Sequence, residues 1–252
     1  MKVHLPRAVL FLHAFPLSRE MFVHQFEALE REGIPYVAPD YPGFGEEPAL
    51  PGDLTIERLT DHIVSRISAL GIRKILPVGV SMGGYLMFDL WRRYRSLLEG
   101  LVFVATRAEA DTEEGRKARY DLMEKVRREG TSPLVEAMLE NQTSPATKRN
   151  ELKMRQLRCM MEKATPEGVV ATLKALAERK DSRDILPSIE LPTLVVAGRD
   201  DERITPPGVV RGIAEGVKGA EFVEIEDAAH LPPFENPESF NRLLLNFLRK
   251  IW

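Results

Sequence analysis

The stretch "KILPVGVSMGGYLMFDLWRRY", residues 74–94, decides the fold of this chain. Its first part, 74–80, is an apolar run that predicts a buried strand, and 82–94 has the apolar spacing of a helix. Between them, Gly79, Ser81 and Gly83 complete the pattern G-x-S-x-G. A serine in a sharp strand-to-helix turn needs small residues two positions before and after it, because the backbone comes close there. Ser81 is therefore a candidate nucleophile, raised above the carboxyl end of a sheet.

A glycine-rich turn before a helix can also cradle a phosphate. The sequence carries neither the G-x-x-x-x-G-K-[ST] nor the G-x-G-x-x-G pattern that such cradles use. The same turn leaves the Met82 N–H at the helix N-terminus, where it favours bound negative charge. We therefore prefer the nucleophile interpretation, with Met82 as one donor to a developing oxyanion.

The composition limits the classes of protein to which the chain can belong. Its 252 residues, 44% of them hydrophobic, suffice for one sizeable core. A formal net charge of −3 gives no indication of a nucleic-acid partner or an anionic membrane. A single cysteine, Cys159, excludes an internal disulfide, and no apolar run approaches the roughly 18 residues of a membrane span. We expect a cytoplasmic protein without a membrane span, of unknown oligomeric state.

Short apolar runs alternate with longer amphipathic segments along most of the chain. The predicted strands are 8–13, 35–40, 74–80, 100–106, 191–198 and 220–226, and the predicted helices between them are 21–32, 55–71, 82–94, 206–216 and 236–250. This alternation predicts an α/β fold with a mostly parallel sheet and helices on both faces. From 109 to 188 only helical patterns occur. We therefore predict a core formed by 1–108 and 189–252, with 109–188 inserted as a helical cap.

A serine hydroxyl needs a histidine as base. His4 lies near the start of the chain, His13 follows the first predicted strand, and His24 and His62 lie inside helical patterns. His230 lies in a loop between the last strand and the last helix, at the carboxyl edge where Ser81 is expected. His230 is therefore the candidate base.

The histidine in turn needs an acid to orient it and to stabilise its charged form. The segment "VVAGRDDERITP", 195–206, follows a strand and offers Asp200, Asp201 and Glu202. Each of the three gives the chain order serine, acid, histidine that this arrangement of strands predicts.

Together these motifs resemble the α/β-hydrolase family over nearly the whole chain. In that family the acid often falls three residues after the glycine that ends its strand, which selects Asp201, counted from Gly198. The segment "AAHLPPFENPESF", 228–240, matches the family's histidine loop, and we interpret Glu235 as serving the start of the last helix.

The resemblance also implies the second oxyanion donor. Family members usually carry His-Gly-x-Pro after the first strand, and the residue after the glycine donates its N–H, which here is Phe15. This chain has Ala14 in place of the glycine, a departure that matters if the position needs a backbone only glycine adopts. Many members begin with a hairpin, whereas only 1–7 precede the first predicted strand here, so about six or seven strands are expected.

Within the family, the chain resembles the branch that contains 3-oxoadipate enol-lactonases and cofactor-free haloperoxidase-like esterases. The resemblance implies hydrolysis of a small-molecule carboxylic ester of small to medium acyl chain through an acyl-enzyme, without metal or organic cofactor. The alternatives are an enol-lactonase and a non-enzymatic receptor or scaffold that binds a small molecule. A lactonase of that kind needs a cation for a carboxylate, and Arg107 or an arginine of the cap is a candidate. The candidate apolar pocket residues are Phe15, Leu17, Met82, Met138, Met160 and Met161.

Overall fold

Six parallel strands form one sheet in the computed structural model, which describes residues 7–252. The strands are β1 (Arg7–Leu12), β2 (Tyr36–Val37), β3 (Lys74–Val80), β4 (Leu101–Val104), β5 (Thr193–Gly198) and β6 (Glu221–Ile225). Their order in the sheet is β2-β1-β3-β4-β5-β6. The expectations for His4 and for a reduced hairpin at the chain start lie outside the described residues. The predicted α/β fold with a parallel sheet of six or seven strands is confirmed.

Eleven α-helices surround this sheet in the described part of the chain. They are α1 (Val23–Arg31), α2 (Ile56–Ala69), α3 (Met82–Arg93), α4 (Glu113–Glu129), α5 (Ser132–Gln142), α6 (Pro145–Lys148), α7 (Glu151–Glu162), α8 (Pro166–Ala177), α9 (Pro207–Gly216), α10 (Pro232–Glu235) and α11 (Pro237–Ile251). Over the same residues, no helix is both long and apolar enough to cross a bilayer.

Alternate residues of each strand pack on opposite faces of the sheet. In β1, Leu10 and Leu12 belong to the hydrophobic core that holds α2, α3 and α9. Val9 and Phe11, pointing the other way, belong to the second core with α1 and α11. Because both faces are covered, the strands are continuous apolar runs rather than alternating ones.

The sheet order reverses direction at β1. The chain places β2 on one side of β1 and β3 on the other. In open parallel sheets, ligands bind outside the carboxyl ends of the strands at such a point. The loop after β1 and the turn after β3 therefore meet at the position where a site is expected.

Helices α4 to α8 all lie between β4 and β5, in the segment predicted to be helical. Their starts follow from local chemistry, since the side chains of Thr112 and Thr165 each accept a hydrogen bond from a backbone N–H three residues on, at 3.1 Å. The side chain of Asn150 accepts from Lys153 N in the same way and begins α7, which separates α7 from the short helix α6. The division of the chain into a core and an inserted cap stays a prediction.

Strand β2 is shorter than the sequence predicts. The apolar stretch 35–40 predicts six strand residues, but only Tyr36 and Val37 pair with β1. Prolines at 35 and 39 flank the pair, and a proline has no N–H to donate to a neighbouring strand. The two prolines therefore limit β2 to two residues at the edge of the sheet.

Candidate active site

Ser81 sits in a strained turn between β3 and α3. Its φ of 53° and ψ of −109° lie in a region that residues other than glycine rarely adopt. The surrounding backbone holds the turn, because Ser81 N donates to Val104 O at 2.9 Å and the Thr106 hydroxyl donates to Ser81 O at 2.8 Å. The position of the serine is thus fixed by two residues from the end of β4 and the loop after it.

The glycines around Ser81 are required by space. A Cβ built on Gly79 would lie 2.6 Å from the carbonyl carbon of Gly83, inside any normal contact distance. A Cβ on Gly83 would collide with the backbone carbonyl of Leu12 at the end of β1. The G-x-S-x-G pattern therefore reflects the close approach of β3, α3 and β1.

We expect Gly83→Ala to destabilise the protein by about 1–3 kcal/mol, the usual effect of forcing a group into filled space. The matched control is Gly208→Ala, because Gly208 also occupies the second position of its helix, α9, and a Cβ there meets nothing within 4 Å. The control should keep or slightly raise stability, since alanine is the better helix former. Urea denaturation of the three proteins measures the difference, and equal midpoints for the two variants would contradict this account.

The loop after β1 carries the candidate oxyanion donor Phe15. Ala14 is fully buried, and the non-glycine residues with positive φ within 7–252 are Ser81, Ala105 and Asp227. Ala14 therefore has a backbone conformation that alanine adopts without strain, and the departure from glycine does not distort the loop. Among the described residues, the N–H groups of Phe15 and Met82 have no hydrogen-bond partner.

His13 ties this loop to the rest of the core. Its Nε2 accepts a hydrogen bond from Tyr41 N at 3.1 Å, and its Nδ1 lies 3.1 Å from Ala14 O. Burial lowers the pKa of His13 to about 4, although the Ala14 carbonyl and Asp40 oppose the shift. His13 is therefore neutral near pH 7, with both ring nitrogens engaged in holding the loop.

His230 and Asp201 form a buried pair. Nδ1 of His230 lies 2.7 Å from Oδ2 of Asp201, and both side chains are about 1% exposed. The hydroxyl of Thr205 donates to the same carboxylate oxygen at 2.7 Å, and the Ile204 N–H donates to Oδ1 at 3.0 Å. Burial alone would raise the pKa of Asp201, but the charge of His230 and these hydrogen bonds lower it to about 2. The carboxylate is thus charged at neutral pH.

The other two acids in this loop do not contact the histidine. Asp200 is half-buried and Glu202 is exposed, and within 7–252 neither carboxylate has a hydrogen bond to His230. Of the three carboxylates that the sequence offers, the structure brings Asp201 to the histidine.

Glu235 holds the histidine loop, a role that the sequence interpretation missed. Its Oε1 accepts from the N–H groups of Ala229 and Leu231, on either side of His230, at 2.8 and 3.0 Å. Its Oε2 accepts from Ser144 N at 2.7 Å. The sequence pattern predicts that Glu235 serves the start of the last helix, but Glu235 ends α10, and the side chain of Asn236 caps α11 instead. The signal available in the sequence was a glutamate five residues after a loop histidine.

Ser81 and His230 line one cavity of about 300 Å³, together with Phe15 and Met82. In the described chain, the Ser81 hydroxyl makes no hydrogen bond to the His230 ring. The remaining lining residues come mostly from α4, α5 and α8 and from the loop after β5: Tyr85, Arg119, Leu122, Met138, Asn141, Gln142, Leu173, Leu176, Arg203 and Ile204. The helical segment between β4 and β5 therefore supplies most of the wall opposite the serine.

The predicted apolar lining is partly wrong. Phe15, Met82 and Met138 line the cavity as expected. Leu17, Met160 and Met161 instead pack in the core on the other face of the sheet, with α1 and α11. Methionine and leucine at helical spacing fit a core as well as a pocket, so the sequence did not distinguish the two.

The prediction that Arg107 is the cationic residue of the cavity is also wrong. The guanidinium of Arg107 donates to the carbonyl of Ile204 and does not line the cavity. Arg119, from the helical segment as the alternative prediction allowed, and Arg203, from the loop after β5, line it instead. Arg119 pairs with Asp111, and Arg203 donates to Asn141 Oδ1 at 2.8 Å.

Known proteins resemble this chain over almost its whole length. A family model described as "alpha/beta hydrolase fold" matches residues 7–237. A thermophilic esterase from Thermogutta terrifontis, solved with malate bound, superposes with a TM-score of 0.93 at 39% sequence identity, over 97% of this chain and 90% of that one. A pimeloyl-[acyl-carrier protein] methyl ester esterase of Neisseria meningitidis is 30% identical over 97% of this chain and 94% of its own length. The enol-lactonase from Burkholderia xenovorans superposes with a TM-score of 0.88 at 26% identity, over 97% of this chain and 91% of that one.

Proposed function

This chain belongs to the α/β-hydrolase family, as its motifs predict, and on that premise we propose that it is a serine hydrolase of carboxylic esters. The proteins that it resembles include esterases and an enol-lactonase, whose names denote hydrolases, together with a putative non-heme bromoperoxidase. The observation that carries the proposal is that Ser81, in its strained turn, and His230, paired with the buried Asp201, line one cavity.

The proposed reaction begins with attack by the Ser81 hydroxyl on the acyl carbon, while Nε2 of His230 takes its proton. Asp201 keeps Nδ1 protonated and stabilises the imidazolium that forms. The alcohol leaves with the proton from His230, and a water deprotonated by the same ring then releases the acid from the acyl-enzyme. We expect the hydrogen bond between the Ser81 hydroxyl and Nε2 of His230 to form when substrate binds.

The oxyanion is proposed to accept hydrogen bonds from the N–H groups of Phe15 and Met82. Support comes from their position on the same cavity and from the absence of any other partner for these groups within 7–252. Met82 is also the first residue of α3, and the N-terminus of a helix favours negative charge.

The size of the cavity supports acyl chains of small to medium length. Its volume of about 300 Å³ lies at the lower end of the range for small-molecule sites, about 300–1,000 Å³. Leu122, Met138, Leu173 and Leu176 line it, so the acyl portion of the substrate is expected to be apolar. The cavity thus supports an enzyme that acts on small molecules, and the single cysteine of the sequence supports a cytoplasmic location.

The proposal is tested with p-nitrophenyl esters from acetate to laurate and with a fluorophosphonate probe. We expect turnover to be fastest for the shorter chains, and we expect peptide mass spectrometry to locate the phosphonyl adduct on Ser81. An adduct on another serine would identify a different nucleophile. No turnover on any ester and no adduct at Ser81 would contradict the proposal and favour the role of a small-molecule receptor or scaffold.

A second candidate is hydrolysis of a lactone that carries a carboxylate, as in the enol-lactonases. The observation that favours it is Arg119 at the cavity wall, whose partner Asp111 also pairs with Arg179, a residue outside the cavity lining. Two guanidinium groups share one carboxylate, so these three side chains keep a net positive charge that can attract an anion. Comparing kcat/KM for an enol-lactone with and without its carboxylate decides between the two substrates.

A further inference from the structure

Gln142, the last residue of α5, contacts both loops of the proposed site. Its Nε2 donates to the carbonyl oxygen of Phe15 at 2.7 Å. Its own backbone carbonyl accepts from the N–H of His230 at 3.0 Å. The residue is only 2% exposed and lies on the wall of the same cavity. A single residue of the helical segment therefore joins the candidate oxyanion loop to the candidate base.

The hydrogen bond from Gln142 to Phe15 O fixes the second of the two peptide groups that flank Phe15. The peptide group before Phe15 is held through Ala14 O, which accepts from Leu17 N at 2.9 Å and lies 3.1 Å from the His13 ring. The peptide group after Phe15 is held by Gln142. The direction of the Phe15 N–H depends on both peptide groups, because they share the dihedral angles of one residue.

The orientation of the Gln142 amide follows from its partner. A carbonyl oxygen only accepts hydrogen bonds, so the NH₂ end of the amide has to face Phe15. The other end, Oε1, is buried and has no partner among the residues that the structure describes. The one hydrogen bond that this side chain makes is therefore the one to the candidate oxyanion loop.

We infer that Gln142 is a positioning residue, which sets the direction of the Phe15 N–H while its main chain anchors His230. The inference rests on the proposed function, since it assigns Gln142 a part in the same serine-hydrolase reaction. A misplacement of about 1 Å in a catalytic group can lower the rate by about 100-fold, and loss of one oxyanion donor lowers it by about 100- to 1,000-fold. Gln142 positions the oxyanion donor and does not supply it, so we expect its loss to lower the rate by less than the loss of the donor itself would.

The test compares Gln142→Met with Gln25→Met. Gln25 is the control, because it is fully buried, its Nε2 donates to Pro233 O at 3.0 Å and to Asn241 Oδ1 at 2.7 Å, and its Oε1 also lacks a partner within 7–252. Gln25 does not line the cavity. Both variants thus lose a buried amide bonded to a backbone carbonyl, but only one loses it beside the site.

We expect Gln142→Met to lower kcat for p-nitrophenyl butyrate by about 10- to 100-fold, with KM changed less than about threefold. Gln25→Met, which loses two hydrogen bonds rather than one, should lower Tm at least as much while keeping kcat within about twofold of the wild type. A kcat for Gln142→Met that matches the control would overturn the inference, and so would an effect confined to KM.

A second variant, Gln142→Glu, tests the need for a donor at this position. A charged carboxylate cannot donate to Phe15 O, whereas the protonated acid can, and burial favours the protonated form. The charged or titratable groups on the same cavity are His230, Tyr85, Arg119 and Arg203, and Glu235 accepts a hydrogen bond from Ser144 N nearby. All of them are common to the wild type, so dividing the two rates removes the part of their titration that the substitution leaves unchanged.

We expect the ratio of the Gln142→Glu rate to the wild-type rate to rise as the pH is lowered from about 8 to about 5. Gln25→Glu, measured in the same way, should give a flat ratio. A ratio that falls over the same range would overturn the inference.

Ser81→Ala is assayed beside these variants, so that two failures are distinguishable. If Ser81→Ala is inactive and Gln142→Met keeps the wild-type kcat, the inference fails and the proposed function stands. If Ser81→Ala keeps the wild-type rate, the proposed function fails, and the role of Gln142 fails with it.

Discussion

Ser81→Ala is expected to lower kcat for ester hydrolysis by about 10⁴-fold or more, leaving only the catalysis that binding and the oxyanion donors supply. Alanine removes the hydroxyl that would attack the acyl carbon and leaves the Asp201–His230 pair intact. Without the nucleophile, the histidine has nothing to deprotonate except water. Initial rates with p-nitrophenyl butyrate at enzyme concentrations high enough to detect slow turnover provide the measurement.

Two further variants separate chemistry from folding in this experiment. Ser65→Ala removes an exposed serine of α2 and should keep the wild-type rate. Ser81→Gly should be as inactive as Ser81→Ala but at least as stable as the wild type, because glycine adopts the φ of 53° without strain. Ester turnover above about 1% of the wild-type rate in either Ser81 variant would mean that another group is the nucleophile.

The sheet and the position of the proposed site were predictable because both depend on local pattern and chain order. Gly79 and Gly83 mark a close approach of backbone segments that no larger residue permits. The five residues 79–83 are therefore enough to predict the turn at Ser81. His230 and Asp201 each follow a strand of a parallel sheet, and the carboxyl ends of such strands meet at one edge. The 2.7 Å contact between His230 Nδ1 and Asp201 Oδ2 therefore follows from the topology of the sheet more than from any feature of the two loops.

The wall of the cavity was not predictable in the same way. Arg119 and Gln142 reach it from α4 and α5, whose position over the sheet depends on how the helices pack against one another and against the core. An amphipathic pattern shows that a helix has a buried face, but not which neighbour that face meets. For the same reason Met138 and Met160 looked alike in the sequence, although one lines the cavity and the other packs in a core.

The role of Glu235 shows a third kind of limit. Its residue type and spacing fit the start of a helix, which is how we interpreted it. In the folded chain its two oxygens accept three backbone N–H groups, from Ala229, Leu231 and Ser144. The last of these lies 91 positions away in sequence, so no local pattern contains it. The histidine loop thus depends on a contact with the helical segment that only the folded structure reveals.

Asp201→Asn is expected to lower kcat by about 10³- to 10⁴-fold while changing the fold little. Asparagine has the same shape, but its amide carries no charge to stabilise the imidazolium. It can also turn its NH₂ toward Nδ1 of His230, which would leave the proton on Nε2, where the ring could no longer act as a base toward Ser81. Steady-state kinetics at pH 7 to 8, with the far-UV and near-UV circular dichroism of both proteins compared, measure the effect.

Asp200→Asn is the matched control, since it neutralises the adjacent carboxylate by the same substitution. The Asp200 side chain has no hydrogen bond to His230, and its carboxylate shares the loop, the strand end and the overall charge with Asp201. A change of net charge alone would therefore affect both variants equally, whereas loss of the histidine's partner affects only Asp201→Asn. We expect Asp200→Asn to stay within about threefold of the wild-type kcat. Equal losses in the two variants would remove Asp201 from the proposed mechanism, because the 2.7 Å contact would then be structural and not part of the proton transfer.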